Sequence, residues 1–212
     1  MNQNMRPLRE GLFAVGSKEA CLCGPAFTMK AEVEFQNEPP CRDWEEYQRK
    51  IDPPGQLERF QEMFSTVQGK IIVTDIGGAP LGFWGSDNSM AVSNMGALGI
   101  IIDGGIRDSE EIKREGVKIW GTCRTCLHLW PRLKPIDDIR KGAGQTISCA
   151  GVKVRPGDII CADDDGVIVL PIEKAEAVLN FAKQTLAKDQ KTRRRNYIDA
   201  GMAFDDTLGI KE

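Results

Sequence analysis

The stretch Gly85-Ser-Asp-Asn-Ser-Met-Ala-Val-Ser-Asn-Met-Gly-Ala-Leu-Gly-Ile-Ile-Ile-Asp-Gly-Gly-Ile-Arg-Asp108 decides the reading of this chain. Its pattern predicts a helix opening at Gly85 to Asn88, a turn over Gly96 to Gly99, and a buried strand Ile100 to Asp103. Gly104-Gly105 follows, leaving Arg107 and Asp108 exposed. In open α/β sheets, ligands collect beyond the carboxyl ends of strands and at helix N-termini, where side chains and unpaired backbone N–H groups converge. The stretch offers both: free N–H groups at one end, and a cation beside a carboxylate at the other. It is the candidate active site.

Upstream, Gly69-Lys70 turns into Ile71-Ile72-Val73-Thr74-Asp75, a short apolar run of the kind buried on both faces of a sheet. Downstream, Ser109 to Glu115 reads as a short polar helix and Val117 to Trp120 as another strand, so helices and buried strands alternate and the class is α/β. Further upstream, from Gly24-Pro25-Ala26-Phe27-Thr28-Met29, a strand with one wet face sets Ala31, Val33 and Phe35 against Lys30, Glu32 and Glu34. Asn37-Glu38-Pro39-Pro40 ends it. Trp44 to Ile51 and Leu57 to Val67 have helical spacing, broken by Asp52-Pro53-Pro54-Gly55.

Beyond residue 140 the pattern becomes antiparallel. Thr146 to Cys149 and Val152 to Val154 flank Ala150-Gly151 as a hairpin, and Pro156-Gly157-Asp158 turns into Ile159 to Cys161. Asp163-Asp164-Asp165-Gly166 turns again into Val167 to Leu170. It has the composition of a calcium loop but lacks the later ligands of that motif, and reads as a tight turn with Gly166 at positive φ. Pro171 begins a helix to about Lys191, with Ala175, Val178, Leu179, Ala182 and Leu186 on one face. Tyr197 to Glu212 reads as a short helix and a tail. The organisation expected is an arm over 1–23, one domain over 24–205 and a tail over 206–212.

The chain has 212 residues, 41% of them hydrophobic and 28% charged, enough for a sizeable core in an ordinary globular composition. A net charge of -3 gives no broad basic surface, which argues against a nucleic-acid partner. The sequence shows neither an apolar run of membrane-spanning length nor a secretion signal, which points to the cytoplasm and away from membranes. Seven cysteines without framework spacing favour reduced thiols. Cys123-x-x-Cys126-x-His128 suggests zinc only weakly, because three candidate ligands lie together and no second pair matches them. His128, the sole histidine, is either a substrate contact or a structural hydrogen-bonder. Gly96-Ala-Leu-Gly99 follows a helix and lacks the third glycine of a dinucleotide fingerprint.

Taken with Gly85 and Gly96-x-x-Gly99, the run Asp103-Gly104-Gly105-Ile106-Arg107-Asp108 resembles the RraA-like family. Val154-Arg155-Pro156-Gly157-Asp158 and Asp163-Asp164-Asp165-Gly166-Val167 follow in the same order. That family includes 4-hydroxy-4-methyl-2-oxoglutarate (HMG) aldolases and the regulator of RNase E activity. The resemblance implies a three-layer swivelling-domain fold with a mixed sheet, assembled as a homotrimer or a hexamer with sites between subunits. It implies that Arg107 holds the pyruvate moiety, that Asp108 ligates a divalent cation (Mg²⁺ or Mn²⁺), and that Glu111 completes the Arg-Asp-x-x-Glu pattern. The substrate carboxylate would lie on the helix start at Gly85, Ser86, Asp87 and Asn88. Asp189, on the late helix of an adjacent subunit, would hold water at the site. Aldolases of the family usually carry an acidic residue directly after the glycine; here Ser86 stands there, with Asp87 one place later.

The chemistry implied is that of a carbon–carbon lyase on a small 2-oxo acid. Aldol cleavage and oxaloacetate decarboxylation both pass through pyruvate enolate, so either needs negative charge stabilised on the 2-oxo oxygen. A hard cation with Arg alongside does this without a covalent intermediate. Two other readings compete with it. Arg107-Asp108 could be a surface ion pair capping the Ser109 helix, or the protein could be a non-catalytic regulator that binds a ribonuclease or another protein.

Overall fold

The two apolar runs form adjacent parallel strands at the centre of a mixed sheet. The computed structural model describes residues 3–4, 13–15, 21–34, 41–50, 55–129, 132 and 141–209. Asn37 to Pro40, Phe35 and Ile51 to Pro54, read above as strand end and helix break, lie outside them. The strands are β1 (Gln3–Asn4), β2 (Phe13–Val15), β3 (Leu22–Lys30), β4 (Ile71–Asp75), β5 (Gly82–Trp84), β6 (Gly99–Ile106), β7 (Ile119–Arg124), β8 (Ile147–Cys149), β9 (Val152–Val154), β10 (Ile159–Asp163) and β11 (Gly166–Leu170). The α-helices lying within the described residues are α1 (Trp44–Lys50), α2 (Gln56–Met63), α3 (Ser86–Asn94), α4 (Ser109–Glu115) and α5 (Ala175–Ala200).

The main sheet runs β1-β11-β10-β3-β4-β6-β7-β2, with β5 beside β6. The inner strands β3, β4, β6 and β7 are parallel; β10, β11 and β1 on one side and β2 on the other are antiparallel. All five residues of β4 are buried, the apolar run Ile71–Val73 together with the polar Thr74 and Asp75. Alternate side chains feed two cores. Ile72, Ile100 and Ile102 join Phe64, Val67, Trp84 and Ile112 on one face. Ile71, Val73 and Ile101 join Trp120, Ile160 and the β8–β9 hairpin on the other. The two large indoles keep their N–H groups satisfied: Trp84 Nε1 donates to Thr74 Oγ1 at 3.0 Å, and Trp120 Nε1 to the Asp163 carbonyl at 2.8 Å.

Three differences from the sequence reading matter. Gln3–Asn4 and Phe13–Val15, within the stretch read as an arm, pair with β11 and β7 at the two edges of the sheet. Two of the parallel strands extend further than expected: β6 runs through Gly104-Gly105 to Ile106, and β7 through Gly121 to Arg124. The late helix continues to Ala200, past Lys191, and ends at Gly201 with φ 64°. The chain forms two compact units, Met1–Pro171 and Ile172–Glu212. In the second, α5 is followed by a 3₁₀ turn at Asp206–Leu208, where Tyr197 Oη donates to Asp205 Oδ2 at 3.0 Å. No residue of α5 is buried, and Leu179, Phe181, Leu186 and Ile198 are exposed. Among the described residues, no helix is long and apolar enough to cross a membrane.

Candidate functional site

The parallel strands β6 and β7 end side by side, with Ile106 in register with Arg124. Just beyond their carboxyl ends lies an open cleft of about 440 Å³, lined by Arg107, Asp108 and Ser109 from one strand end and Arg124, Thr125 and Cys126 from the other. This is where the topology of a parallel sheet collects ligands.

Asp108 occupies a left-handed backbone conformation, φ 58° and ψ 39°, one of two non-glycine residues at positive φ among those described. That conformation carries a strain cost that aspartate tolerates better than most residues, and such strain clusters at functional positions. Although Asp108 stands at the N-terminus of α4, its side chain makes no capping bond there. Its Oδ2 instead accepts from the backbone N–H of Ser86 at 3.3 Å. The helix-capping reading of the Arg107-Asp108 pair is therefore corrected: the carboxylate turns from its own helix toward the start of α3.

Arg107 anchors its backbone by donating to the Trp84 carbonyl at 3.0 Å, and its Nη1 lies 3.6 Å from Asp108 Oδ2. Its Nε is buried without a hydrogen-bond partner, a costly state for a cationic donor. Two glycines make room for this side chain. A Cβ on Gly82 would come within 2.9 Å of Arg107 Cδ, and one on Gly85 within 2.8 Å of Arg107 Nε and 2.5 Å of Asp108 Oδ2. Any larger residue at Gly85 displaces either the guanidinium or the carboxylate.

α3 begins at Ser86 directly after Gly85, which has extended backbone and no side chain to cap the helix. Of its first N–H groups, that of Ser86 donates to Asp108 Oδ2 and that of Ser89 to the Gly85 carbonyl at 3.0 Å, while those of Asp87 and Asn88 lie within the first turn, where a helix supplies no partner of its own. Gly85 and Ser86 meet Arg107 and Asp108 directly. Asp87 and Asn88 share that first helical turn, and none of Gly85, Ser86, Asp87 and Asn88 is among the residues that line the cleft. Glu111 is exposed on α4. Asp189 is exposed on α5, in the second unit.

Arg124 is the residue that sequence reading missed. It lies beyond Trp120, where the strand was expected to end, inside a Cys-x-x-Cys spacing that drew attention to its thiols. Period-2 continuation through Gly121 and Cys123 was the available signal. Glu110 stands in the field of this cation; its carboxyl is held low chiefly by its hydrogen bond from Lys113 at 2.8 Å, then by charge from Lys113, with Arg114 and Arg124 adding to it. In the Cys-x-x-Cys-x-His motif, Cys126 lines the cleft, burial pushes the Cys123 thiol up, and His128 forms a backbone bridge with Gly82.

Among the described residues, no three His, Cys, Asp or Glu side chains cluster as a full cage, and Asp108 offers one partly exposed carboxylate of the kind that binds a divalent cation retaining several waters.

Residues 2–169 match the family model described as RraA-like, Aldolase/RraA. A Halalkalibacterium halodurans protein provisionally named a 4-hydroxy-4-methyl-2-oxoglutarate aldolase is 33% identical over 149 residues, 70% of this chain and 68% of that one. The crystal structure of Streptomyces coelicolor RraAS2, described as an unusual member of the RNase ES inhibitor RraA protein family, superposes with a TM-score of 0.64 at 26% identity, covering 86% of this chain and 81% of the other. The RNA-processing inhibitor RraA from Thermus thermophilus shares the fold, with a TM-score of 0.56 at 18% identity over 81% of this chain and 85% of that one. The chain belongs to the RraA-like family.

Proposed function

We propose that this protein is a divalent-metal-dependent carbon–carbon lyase acting on a 2-oxo acid through pyruvate enolate, by aldol cleavage of an HMG-type substrate, decarboxylation of oxaloacetate, or both. The observation that carries the reading is the Arg107–Asp108 device: a carboxylate held in left-handed backbone, turned from its own helix, beside an arginine whose buried Nε has no partner. The 2-oxo acid is oriented by the Arg107 fork, and the N–H groups of Asp87 and Asn88 receive its carboxylate at the positive end of α3, beside the Ser86 N–H that Asp108 Oδ2 takes. Arg124, on the other wall of the cleft, suits the second carboxylate that both HMG and oxaloacetate carry. Asp108 would hold Mg²⁺ or Mn²⁺, and the cation, when bound, would supply a Lewis acid for negative charge on the 2-oxo oxygen. Asp189, reaching the site from an adjacent copy, holds the water that exchanges a proton with the substrate.

The test is pyruvate release from oxaloacetate and from HMG, with and without EDTA. Metal-dependent release from either is the expected result. Likeness to RraAS2 favours a second reading, a non-catalytic protein-binding regulator, which stands if no 2-oxo acid in a panel is cleaved.

The shared site requires an oligomer. The exposed apolar side chains of α5 support this, since large unpaired hydrophobics along one helix mark a surface that another chain covers. Light scattering should report at least three chains per particle, as a homotrimer or a hexamer. A fully active monomer would refute the role given to Asp189.

A further inference from the structure

Strands β3 and β10 are antiparallel, and their register sets Cys23 directly opposite Cys161. The two Sγ atoms lie 3.1 Å apart, with one thiol donating to the other. Directly opposed residues of an antiparallel pair have Cα atoms about 4.5 or 5.5 Å apart, within the roughly 4.4–6.8 Å that a disulfide spans. The backbone is thus already placed for a bond, and only the sulfurs need to move. Cys23 is exposed and Cys161 half-buried, so a small oxidant reaches the pair from the Cys23 side. Among the described residues, no other two thiols are recorded in contact.

We propose that Cys23 and Cys161 are a redox modification site, closing a reversible cross-strand disulfide when the protein meets a low-molecular-weight disulfide. The thiolate of Cys23 attacks one sulfur of the small disulfide, forming a mixed disulfide and releasing one small thiolate. Cys161 then loses its proton and attacks the Cys23 sulfur, forming the Cys23–Cys161 bond and releasing the second small thiolate. The two protein thiols are oxidised, the small disulfide is reduced to two thiols, and the two protons end on them. In the reduced protein, burial, the hydrogen bond to Cys23 and its charge push the Cys161 thiol up to about 12. The contributions from Cys23 fall away once its sulfur is in the mixed disulfide, so the first step eases the second.

The bond would tie the β10–β11 hairpin to the parallel strands and close a loop between residues 138 positions apart, so its main effect is to restrict the unfolded chain. The full-length protein should be incubated with oxidised glutathione, alkylated under denaturing conditions, and mapped by mass spectrometry. The expected product joins the peptides carrying Cys23 and Cys161 within one chain and raises the melting temperature by roughly 5–15 °C; dithiothreitol reverses both changes. In Cys161→Ser the reaction should stop at a glutathione adduct on Cys23, with no comparable rise. Glutathione retained on Cys23 in the parent, a bond between other cysteines or between chains, or an unchanged thiol count would each overturn the proposal.

Discussion

Asp108→Asn should lower metal-dependent pyruvate release by roughly a hundred- to a thousandfold, the usual cost of losing an electrostatic stabiliser of about 3–4 kcal/mol. Mg²⁺ affinity should collapse with it. The substitution isolates charge from shape. Asparagine tolerates the left-handed backbone at φ 58° as well as aspartate does, and its side-chain oxygen still accepts from the Ser86 N–H. The ion pair with Arg107 is long, 3.6 Å, and partly exposed, so its loss costs the fold little. Among the described residues, no second acidic side chain lines the cleft to take over the cation. Circular dichroism should therefore match the parent while calorimetry shows no Mg²⁺ binding. Parent-like turnover in this variant would end the enzyme reading.

The sheet's centre was legible because Ile71–Val73 and Ile100–Ile102 are unbroken apolar runs, a pattern typical of strands buried on both faces. The hairpin at Ala150-Gly151 and the turn at Gly166 were legible from turn chemistry, and both glycines sit at positive φ, 77° and 140°. Gly104-Gly105, by contrast, looked like a strand's end. A glycine pair is ordinarily a breaker, yet here it continues β6 because its missing side chains admit a close neighbour: a Cβ on Gly105 would stand 2.5 Å from the Leu81 carbonyl oxygen. The edge strands β1 and β2 have two and three residues, too few for any period to show. Their pairing is decided by the open sheet edges they meet, which no local pattern encodes. The Arg107–Asp108 pair was legible as a motif, but the direction of the Asp108 carboxylate was not, since it depends on where α3 begins in space.

Arg107→Lys should leave Mg²⁺ binding in place while substrate affinity and rate fall together by roughly 2–4 kcal/mol in kcat/KM. The positive charge survives, so a loss of this size would report geometry. Lysine has no Nε to occupy the buried position that Arg107 fills beside Gly85, and no planar fork to take two oxygens of an oxo acid at once. Its ammonium also sits on a flexible stem, whereas the arginine is packed between Gly82 and Gly85 so closely that neither can carry a Cβ without a shift. Calorimetry with Mg²⁺ and a coupled pyruvate assay separate this outcome from that of Asp108→Asn: one variant binds metal and turns over poorly, the other binds none. If Arg107→Lys lost metal binding as well, the two residues would not be separable parts of one device, and the assignment of orientation to Arg107 would fail.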